Sequence, residues 1–279
     1  MTRLSGWWGI ALLLAGQIAH AEDLPFRVVA EGLPAVDNLA RADDGTLYAT
    51  LELGQGGGRV IKVAPDGTLS VVLQALDRPD GLLLVGDTLY ITEEVRAGRV
   101  LAYGLKSGEL RQITILRNPE GIDRLPDGSL VVAEDRKQGR IVRIAPDGTV
   151  SELAGGLNRP EGLAVAPDGT IYIAETASGR VLALREGKLT PVASDLNEPD
   201  QVAIGPFGIL FVTEDARPGR LLKSFGNRMI PVLGGLAAPQ GMAFRPPTPE
   251  CGAAIYLAEQ GTGRILELGP ECPTSPSDE

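Results

Sequence analysis

Acidic side chains recur at matched positions along this chain, and they are the groups in it best suited to chemistry. Five prolines about forty residues apart are each followed by a carboxylate or an amide, and a sixth copy has its acid without the proline. These residues are Asp37, Asp80, Glu120, Glu161, Asp200 and Gln240. Carboxylate oxygens gathered in one place would suit Ca²⁺, which accepts six to eight oxygen ligands.

A second set of acids follows the second apolar run of each copy. It comprises Glu93 with Glu94, Glu134, Glu175, Glu214 and Glu259, whereas the first copy has Leu51 followed by Glu52. An arginine opens the next run in each copy: Arg59, Arg99, Arg140, Arg180, Arg220 and Arg264. We expect a Glu–Arg pair in each repeat, because a feature present in nearly every copy usually maintains the repeat. The alternative is a second ring of carboxylates at the same place as the first.

The elements that must position these acids are short strands. Each copy divides into four runs rich in Val, Ile, Leu and Tyr, separated by turns such as Pro167-Asp-Gly169. The last copy lacks a fourth run, and Phe26–Ala30 supplies a similar one before the first copy. We therefore predict an all-β fold, a closed six-bladed β-propeller of four-stranded blades over residues 22–270. Its N-terminal strand would complete the last blade and hide the strand edges.

The N-terminus has the features of a secretory signal. Residues 1–21 combine Arg3, a short apolar stretch and an Ala-His-Ala end. A retained anchor is the alternative, although the apolar stretch is short for a bilayer. We expect a periplasmic or secreted protein without stable membrane insertion. Cleavage would remove His20, the chain's one histidine, and with it any mechanism that needs an imidazole.

The remaining composition narrows the partners. The chain has a formal net charge of −10, so we expect no nucleic acid to bind, because phosphate binding needs clustered positive charge. Cys251 and Cys272 are expected to form a disulfide near the closure of the ring, since exported chains favour disulfides over free thiols. Residues 271–279 are predicted to be a short polar tail. We expect a monomer.

Between Arg159 and Leu184, the Pro-Glu-Gly, Ala-Glu and Gly-Arg-Val motifs resemble the NHL repeat family, and the likeness extends over all six copies. The stretch from Glu161 to Gly169 also resembles the senescence-marker-protein/gluconolactonase superfamily of six-bladed, calcium-dependent lactonases and esterases. A third resemblance, carried by Thr213-Glu214, is to streptogramin lyases.

The gluconolactonase resemblance implies a cation at the mouth of the central channel. By position, its ligands here would be Asp37, Glu120, Glu161 and Asp200. The cofactor would be Ca²⁺ or another divalent cation, and Asp200 or Glu161 would serve as general base. The family uses Asn at some of these positions. An all-acid site would bind a cation more tightly but polarise a substrate less. Alternatively, each acid accepts backbone N–H groups in its own loop.

Departures from the repeat are candidate ligand-binding positions. Asn38 and Gln201 replace the Gly that follows the acid in other copies, and Gln240 replaces the acid itself. The third copy adds Asp123 and Arg124 where other copies carry small or apolar residues. These residues would orient a small-molecule or protein ligand, or they reflect ordinary sequence drift.

Three functions fit these patterns, and whether the protein is an enzyme stays open. The favoured hypothesis is an exported, cation-binding propeller with a binding or scaffold role. The alternative is a calcium-dependent hydrolase of lactones or esters. A lyase similar to the streptogramin enzymes ranks third, because that activity resembles a His-dependent one.

Overall fold

Runs of β-branched and aliphatic residues form strands along the whole described chain. The computed structural model describes residues 25–270, which form six antiparallel sheets of four strands each around a central channel. This confirms the predicted all-β, six-bladed propeller. The predicted signal peptide and the predicted C-terminal tail lie outside these residues.

The first half of the chain contributes one strand to the last blade and then three complete blades. The opening strand is β1 (Phe26–Glu31). Blade one contains β2 (Val36–Arg41), β3 (Leu47–Leu51), β4 (Gly58–Val63) and β5 (Leu69–Leu76). Blade two contains β6 (Pro79–Val85), β7 (Thr88–Glu93), β8 (Gly98–Gly104) and β9 (Leu110–Leu116). Blade three contains β10 (Pro119–Arg124), β11 (Leu130–Glu134), β12 (Lys137–Ile144) and β13 (Val150–Asn158).

The second half completes the ring. Blade four contains β14 (Pro160–Val165), β15 (Ile171–Glu175), β16 (Arg180–Arg185) and β17 (Lys188–Ala193). Blade five contains β18 (Pro199–Ile204), β19 (Leu210–Glu214), β20 (Gly219–Phe225) and β21 (Arg228–Leu236). Blade six contains β22 (Pro239–Arg245), β23 (Ala254–Glu259) and β24 (Arg264–Leu268). Two 3₁₀ turns, Thr176–Ser178 and Pro206–Gly208, interrupt blades four and five.

The ring closes through the first strand of the chain. Strand β1 pairs antiparallel with β24, from Phe26 opposite Leu268 to Glu31 opposite Arg264. Blade six therefore has the order β1-β24-β23-β22, as predicted. Closure pairs strands from the two ends of the described chain, so the blade that ends the repeat gains its fourth strand.

Apolar side chains between neighbouring sheets form the core. One cluster joins Val131 and Ile141 of blade three to Ile173 and Leu182 of blade four, and all four side chains are buried. Similar clusters lie at the other blade contacts, so each sheet is covered by its neighbours. Among residues 25–270, no helix has the length and apolar character needed to cross a membrane.

Cys251 lies in the loop between β22 and β23, in the blade where the ring closes. It is disulfide-bonded. Its predicted partner, Cys272, lies outside the described residues.

Candidate functional site

A bulge at the start of every blade turns the repeated acid toward the channel. In blade four, Pro160 pairs with Glu175 and Leu163 pairs with Ile173, so Glu161 and Gly162 have no partners in the second strand. The same shift occurs at the start of all six blades. Because a bulge re-aims the extra residues, the acid leaves the sheet and enters the channel mouth. We call the resulting set the inner ring; it comprises Asp37, Asp80, Glu120, Glu161, Asp200 and Gln240.

The inner ring forms the floor of a polar cavity of about 310 Å³ at one mouth of the channel. Ten carboxylates and two guanidinium groups line this cavity, which we call the carboxylate pocket. All six inner-ring side chains are buried. The floor therefore combines a high density of acidic groups with little access to water.

The second set of acids pairs with the repeated arginines within the blades, as predicted. We call each such pair a Glu–Arg staple. Arg140 donates two hydrogen bonds to Glu134, both at 2.9 Å, and the same pair recurs in blades two, four, five and six. Each glutamate also accepts a backbone N–H from the loop that leads into its own blade, for example that of Arg117 at 3.2 Å. Burial raises the pKa of Glu134, but hydrogen bonds from Arg140, the Arg117 N–H and Arg136, with the charge of Arg140, together outweigh it and lower that pKa.

A second ring does surround the pocket, but sequence reasoning named only two of its six residues, Glu52 and Glu94. The ring consists of the residues one position after the stapled acids or, in blade one, after Leu51: Glu52, Glu94, Asp135, Thr176, Asp215 and Gln260. In every blade, the backbone N–H of this residue donates to the carbonyl of the residue before the first strand, as from Asp135 to Asn118 at 2.8 Å. We call this set the outer ring. Its signal in the sequence was the extra acid in Glu93-Glu94 and Glu134-Asp135.

Burial and mutual repulsion disfavour charge on the pocket floor. Burial raises the pKa values of Asp37, Asp80, Glu120 and Asp200 well above the ordinary range, and neighbouring carboxylates raise them further. Burial also raises the pKa of Glu161 to about 7, although Thr176 and Arg159 oppose the shift. A bound cation or bound protons would relieve this crowding.

Two arginines offset part of the negative charge of the carboxylate pocket. Arg159 donates to both oxygens of Asp135 at 3.1 Å and also pairs with Glu161. Arg78 pairs with Glu52 and Glu94. Both arginines are about half exposed at the rim, so they neutralise the outer ring more than the floor.

Three carboxylates of the floor form the best-placed cation site. Glu120, Glu161 and Asp200 can each offer an oxygen so that all three atoms lie within 4.8 Å of one another. Asp200 Oδ1 is buried and has no hydrogen-bond donor. The fourth predicted ligand, Asp37, lies in a separate group with Glu52 and Asp80. Within the described residues the structure thus brings together three of the four predicted ligands.

The predicted ligand-orienting residues separate into three places. Gln240 lines the carboxylate pocket, where it hydrogen-bonds Asp215. Asn38, Gln201 and Asp123 instead line a second cavity of about 330 Å³ in the other half of the channel. Arg124 is exposed at the opposite face, beside Gly128. Asn38 Nδ2 still reaches the floor, where it donates to Asp80 at 3.2 Å.

Comparisons with known proteins agree with this architecture. Residues 157–184 match the family model for the NHL repeat. A gluconolactonase from Zymomonas mobilis is 35% identical over 99 residues, which are 32% of this chain and 27% of that protein. The match thus spans about a quarter of the length of this curated relative.

Solved structures share the fold at low identity. A gluconolactonase from Xanthomonas campestris superposes with a TM-score of 0.74 at 18% identity, covering 90% of this chain and 91% of that one. A catalytically inactive histidine-to-alanine variant of virginiamycin B lyase from Staphylococcus aureus, with quinupristin, has a TM-score of 0.66 at 15% identity, covering 89% and 100%. The predicted resemblance to NHL-repeat and gluconolactonase-like six-bladed propellers is thereby confirmed.

Proposed function

We propose that this gluconolactonase-like propeller is a divalent-cation-dependent hydrolase that opens lactones or related esters in the carboxylate pocket. The observation that carries the proposal is the buried triad of Glu120, Glu161 and Asp200, whose negative charge the neighbouring arginines do not balance. Similarity to a gluconolactonase supports the substrate class. We further propose, from the signal-like residues 1–21, that the protein acts in the periplasm or outside the cell.

The triad fits a hard cation such as Ca²⁺. Its donors are all oxygens, they can converge within 4.8 Å of one another, and Asp200 keeps one buried oxygen free of protein donors. When bound, the cation would supply Lewis-acid polarisation of the substrate carbonyl. The Thr176 hydroxyl lies within hydrogen-bonding distance of both Glu161 and the carbonyl of Pro199. Donating its one proton to Glu161 would hold that carboxylate in place.

A carboxylate of the pocket would accept the proton of the attacking water and pass it to the leaving oxygen. The Asp200 carboxylate oxygen not engaged by the cation would accept a proton as the oxygen of water bonds to the carbonyl carbon. The bond between that carbon and the ring oxygen then breaks, and the ring oxygen takes the proton back. The product is the open hydroxy acid, and Asp200 returns to its starting state.

A second candidate is a cation-binding module without turnover, for a small-molecule or protein ligand. It is favoured by the all-carboxylate composition of the triad, because three anionic ligands exceed the charge of one divalent cation and weaken its pull on a carbonyl. A lyase is not proposed. The inactive histidine variant of the virginiamycin enzyme points to a histidine in that protein, and the one histidine here precedes the described residues.

The test uses metal-stripped protein and a panel of lactones and aryl esters. We expect Ca²⁺ or another divalent cation to raise the unfolding midpoint, because it binds only the folded chain, and to permit ring opening. Asp200→Ala should abolish turnover, whereas Asp66→Asn, on an exposed turn, should not. A midpoint that no cation raises would contradict both candidates. A cation shift without turnover would leave the binding module.

A further inference from the structure

Blade five presents two phenylalanines to solvent at the face opposite the carboxylate pocket. Phe207 lies in the turn between β18 and β19, and Phe225 ends β20. Their exposed fractions are 84% and 66%, the highest among the large apolar side chains of residues 25–270. Exposed apolar residues that lie together mark interaction sites, whereas singly exposed ones are ordinary.

The turn that contains Phe207 has a hydrogen-bonding pattern and a backbone conformation that suit other residue types better than phenylalanine. At the matching position, Asp44, Asp127 and Asp168 each accept the backbone N–H two residues later, at 2.9 to 3.0 Å. Phe207 cannot accept this hydrogen bond, and its φ of 66° lies in the left-handed region that bulky residues avoid. The turn itself therefore does not explain the phenylalanine.

Strand register places Phe225 beside this turn. Phe211 of β19 is opposite Lys223 of β20, and the backbone N–H of Leu210 donates to Ser224 Oγ at 3.1 Å. Continuing that register sets Phe225 level with the residue that follows the 205–208 turn. Two aromatic side chains thus project from adjacent turns of one blade.

The two turns that contain Phe207 and Phe225 have basic residues and no acidic ones. The segments 205–209 and 223–230 contain Lys223 and Arg228 but no Asp or Glu. Neither basic residue takes part in an ion pair within the described chain, whereas Asp168 and Arg185 of the neighbouring blade pair with each other. This local positive charge contrasts with the net charge of −10 for the whole chain.

We propose that this blade-five patch, Phe207 and Phe225 with Lys223 and Arg228, docks on an anionic phospholipid surface. Aromatic side chains on protruding turns can insert at the headgroup level, and each nearby basic residue adds attraction to anionic lipid. A stable protein interface needs about 800 Å² per partner, which two isolated tips do not provide. The carboxylate pocket would then face away from the membrane. The proposal is independent of the hydrolase activity.

Vesicle co-sedimentation tests the patch on the chain from Glu22, which contains every strand of the propeller. The wild-type chain should bind phosphatidylglycerol-containing vesicles and bind phosphatidylcholine vesicles weakly. Phe207→Asn and Phe225→Ser should each lower the partition coefficient about tenfold, as expected for losing one buried aromatic side chain. Ile115→Ser, at an exposed apolar residue of blade two, is the matched control and should leave binding unchanged.

Thermal unfolding separates this role from a structural one. Phe207→Asp restores the residue that three other blades use, so its unfolding midpoint should equal or exceed that of the wild type while vesicle binding falls. A lower midpoint would make Phe207 a structural residue and overturn the proposal. Absence of wild-type binding, equal binding to neutral vesicles, or a partner protein bound through the patch instead of lipid would also overturn it.

Discussion

Asp200 keeps a buried carboxylate oxygen to which no group of the described chain donates. Its Oδ1 atom has no donor, and burial together with neighbouring carboxylates raises its pKa. Glu161, by contrast, accepts hydrogen bonds from Arg159 and Thr176. The two predicted candidates for general base thus occupy different environments, and Asp200 is the one with a free oxygen.

Asp200→Asn should stabilise the metal-stripped protein and weaken its response to cations. The amide removes one charge from a crowded floor, so we expect the midpoint in chelator to rise by about 2–4 °C, which corresponds to about 1 kcal/mol in a chain of this size. The rise in midpoint on adding Ca²⁺ should shrink or vanish. Scanning calorimetry measures both effects. Asp66→Asn, which retains an acceptor for the Thr68 N–H, is the control; a lower midpoint in chelator for Asp200→Asn would contradict the repulsion argument.

In five of the six blades, the Glu–Arg staple joins three segments. Glu134 connects the end of β11 to Arg140 on β12 and to the loop before β10. Blade one lacks the acid, and Leu51 there packs into an apolar cluster instead. In blade one, apolar packing of Leu51 therefore takes the place of the Glu–Arg pair.

Glu134→Ala should lower the free energy of unfolding by about 2–4 kcal/mol, because it leaves the Arg117 N–H without its acceptor and removes the buried carboxylate that pairs with Arg140. Urea unfolding followed by circular dichroism measures the change. Glu109→Ala, at an exposed side chain, should change stability by less than about 0.5 kcal/mol. Equal stability of the two variants would show that the staple contributes little.

Contacts between blades depend on the glycine after the acid. A Cβ at Gly121 would lie 2.6 Å from the carbonyl oxygen of Glu161 and 2.8 Å from the Leu163 nitrogen in the next blade. Both atoms belong to the backbone, so they cannot rotate aside. This explains why most copies have Gly here.

Gly121→Ala should destabilise the protein by about 1–3 kcal/mol through this overlap. The matched control is Gly234→Ala, where a Cβ would meet no atom within 4 Å. Chemical denaturation of both variants gives the comparison. A Gly121→Ala protein as stable as the control would mean that neighbouring blades shift apart easily.

Across the whole molecule, the acids make stability depend on pH and cations together. Glu94 and Glu161 have pKa values of about 7 in the folded chain, against an ordinary value of 4.5. Between these values the folded chain binds protons that the unfolded chain has released. Stability without metal should therefore fall as pH rises from about 5 to about 8.

Saturating Ca²⁺ should oppose that fall, since it favours the ionised carboxylates. The measurement is the unfolding midpoint across this pH range, with chelator and with Ca²⁺. The stapled acids Glu134, Glu175 and Glu259 have lowered pKa values, so they stay ionised over this window and do not mask the effect. A midpoint in chelator that rises over the same range would contradict the assignment.

The repeat by itself determined the fold of this protein. Period, turn chemistry and the spare N-terminal strand were enough to predict six four-stranded blades and their closure, because each copy repeats one local pattern. The Glu–Arg pairs followed for the same reason, since both partners lie within one hairpin. The predicted ligands came from the recurring acid and the gluconolactonase resemblance, and three of the four, Glu120, Glu161 and Asp200, lie together in the structure.

Only the tertiary structure decided which other side chains meet. Adjacent residues of a strand point to opposite faces, so Glu134 staples its blade while Asp135 lines the pocket. The same alternation places Asn38 and Gln201 beside the other half of the channel. Asp37 groups with Glu52 and Asp80, whereas Asp200 groups with Glu120 and Glu161. This division depends on blade packing and side-chain direction across the channel, which no local pattern encodes.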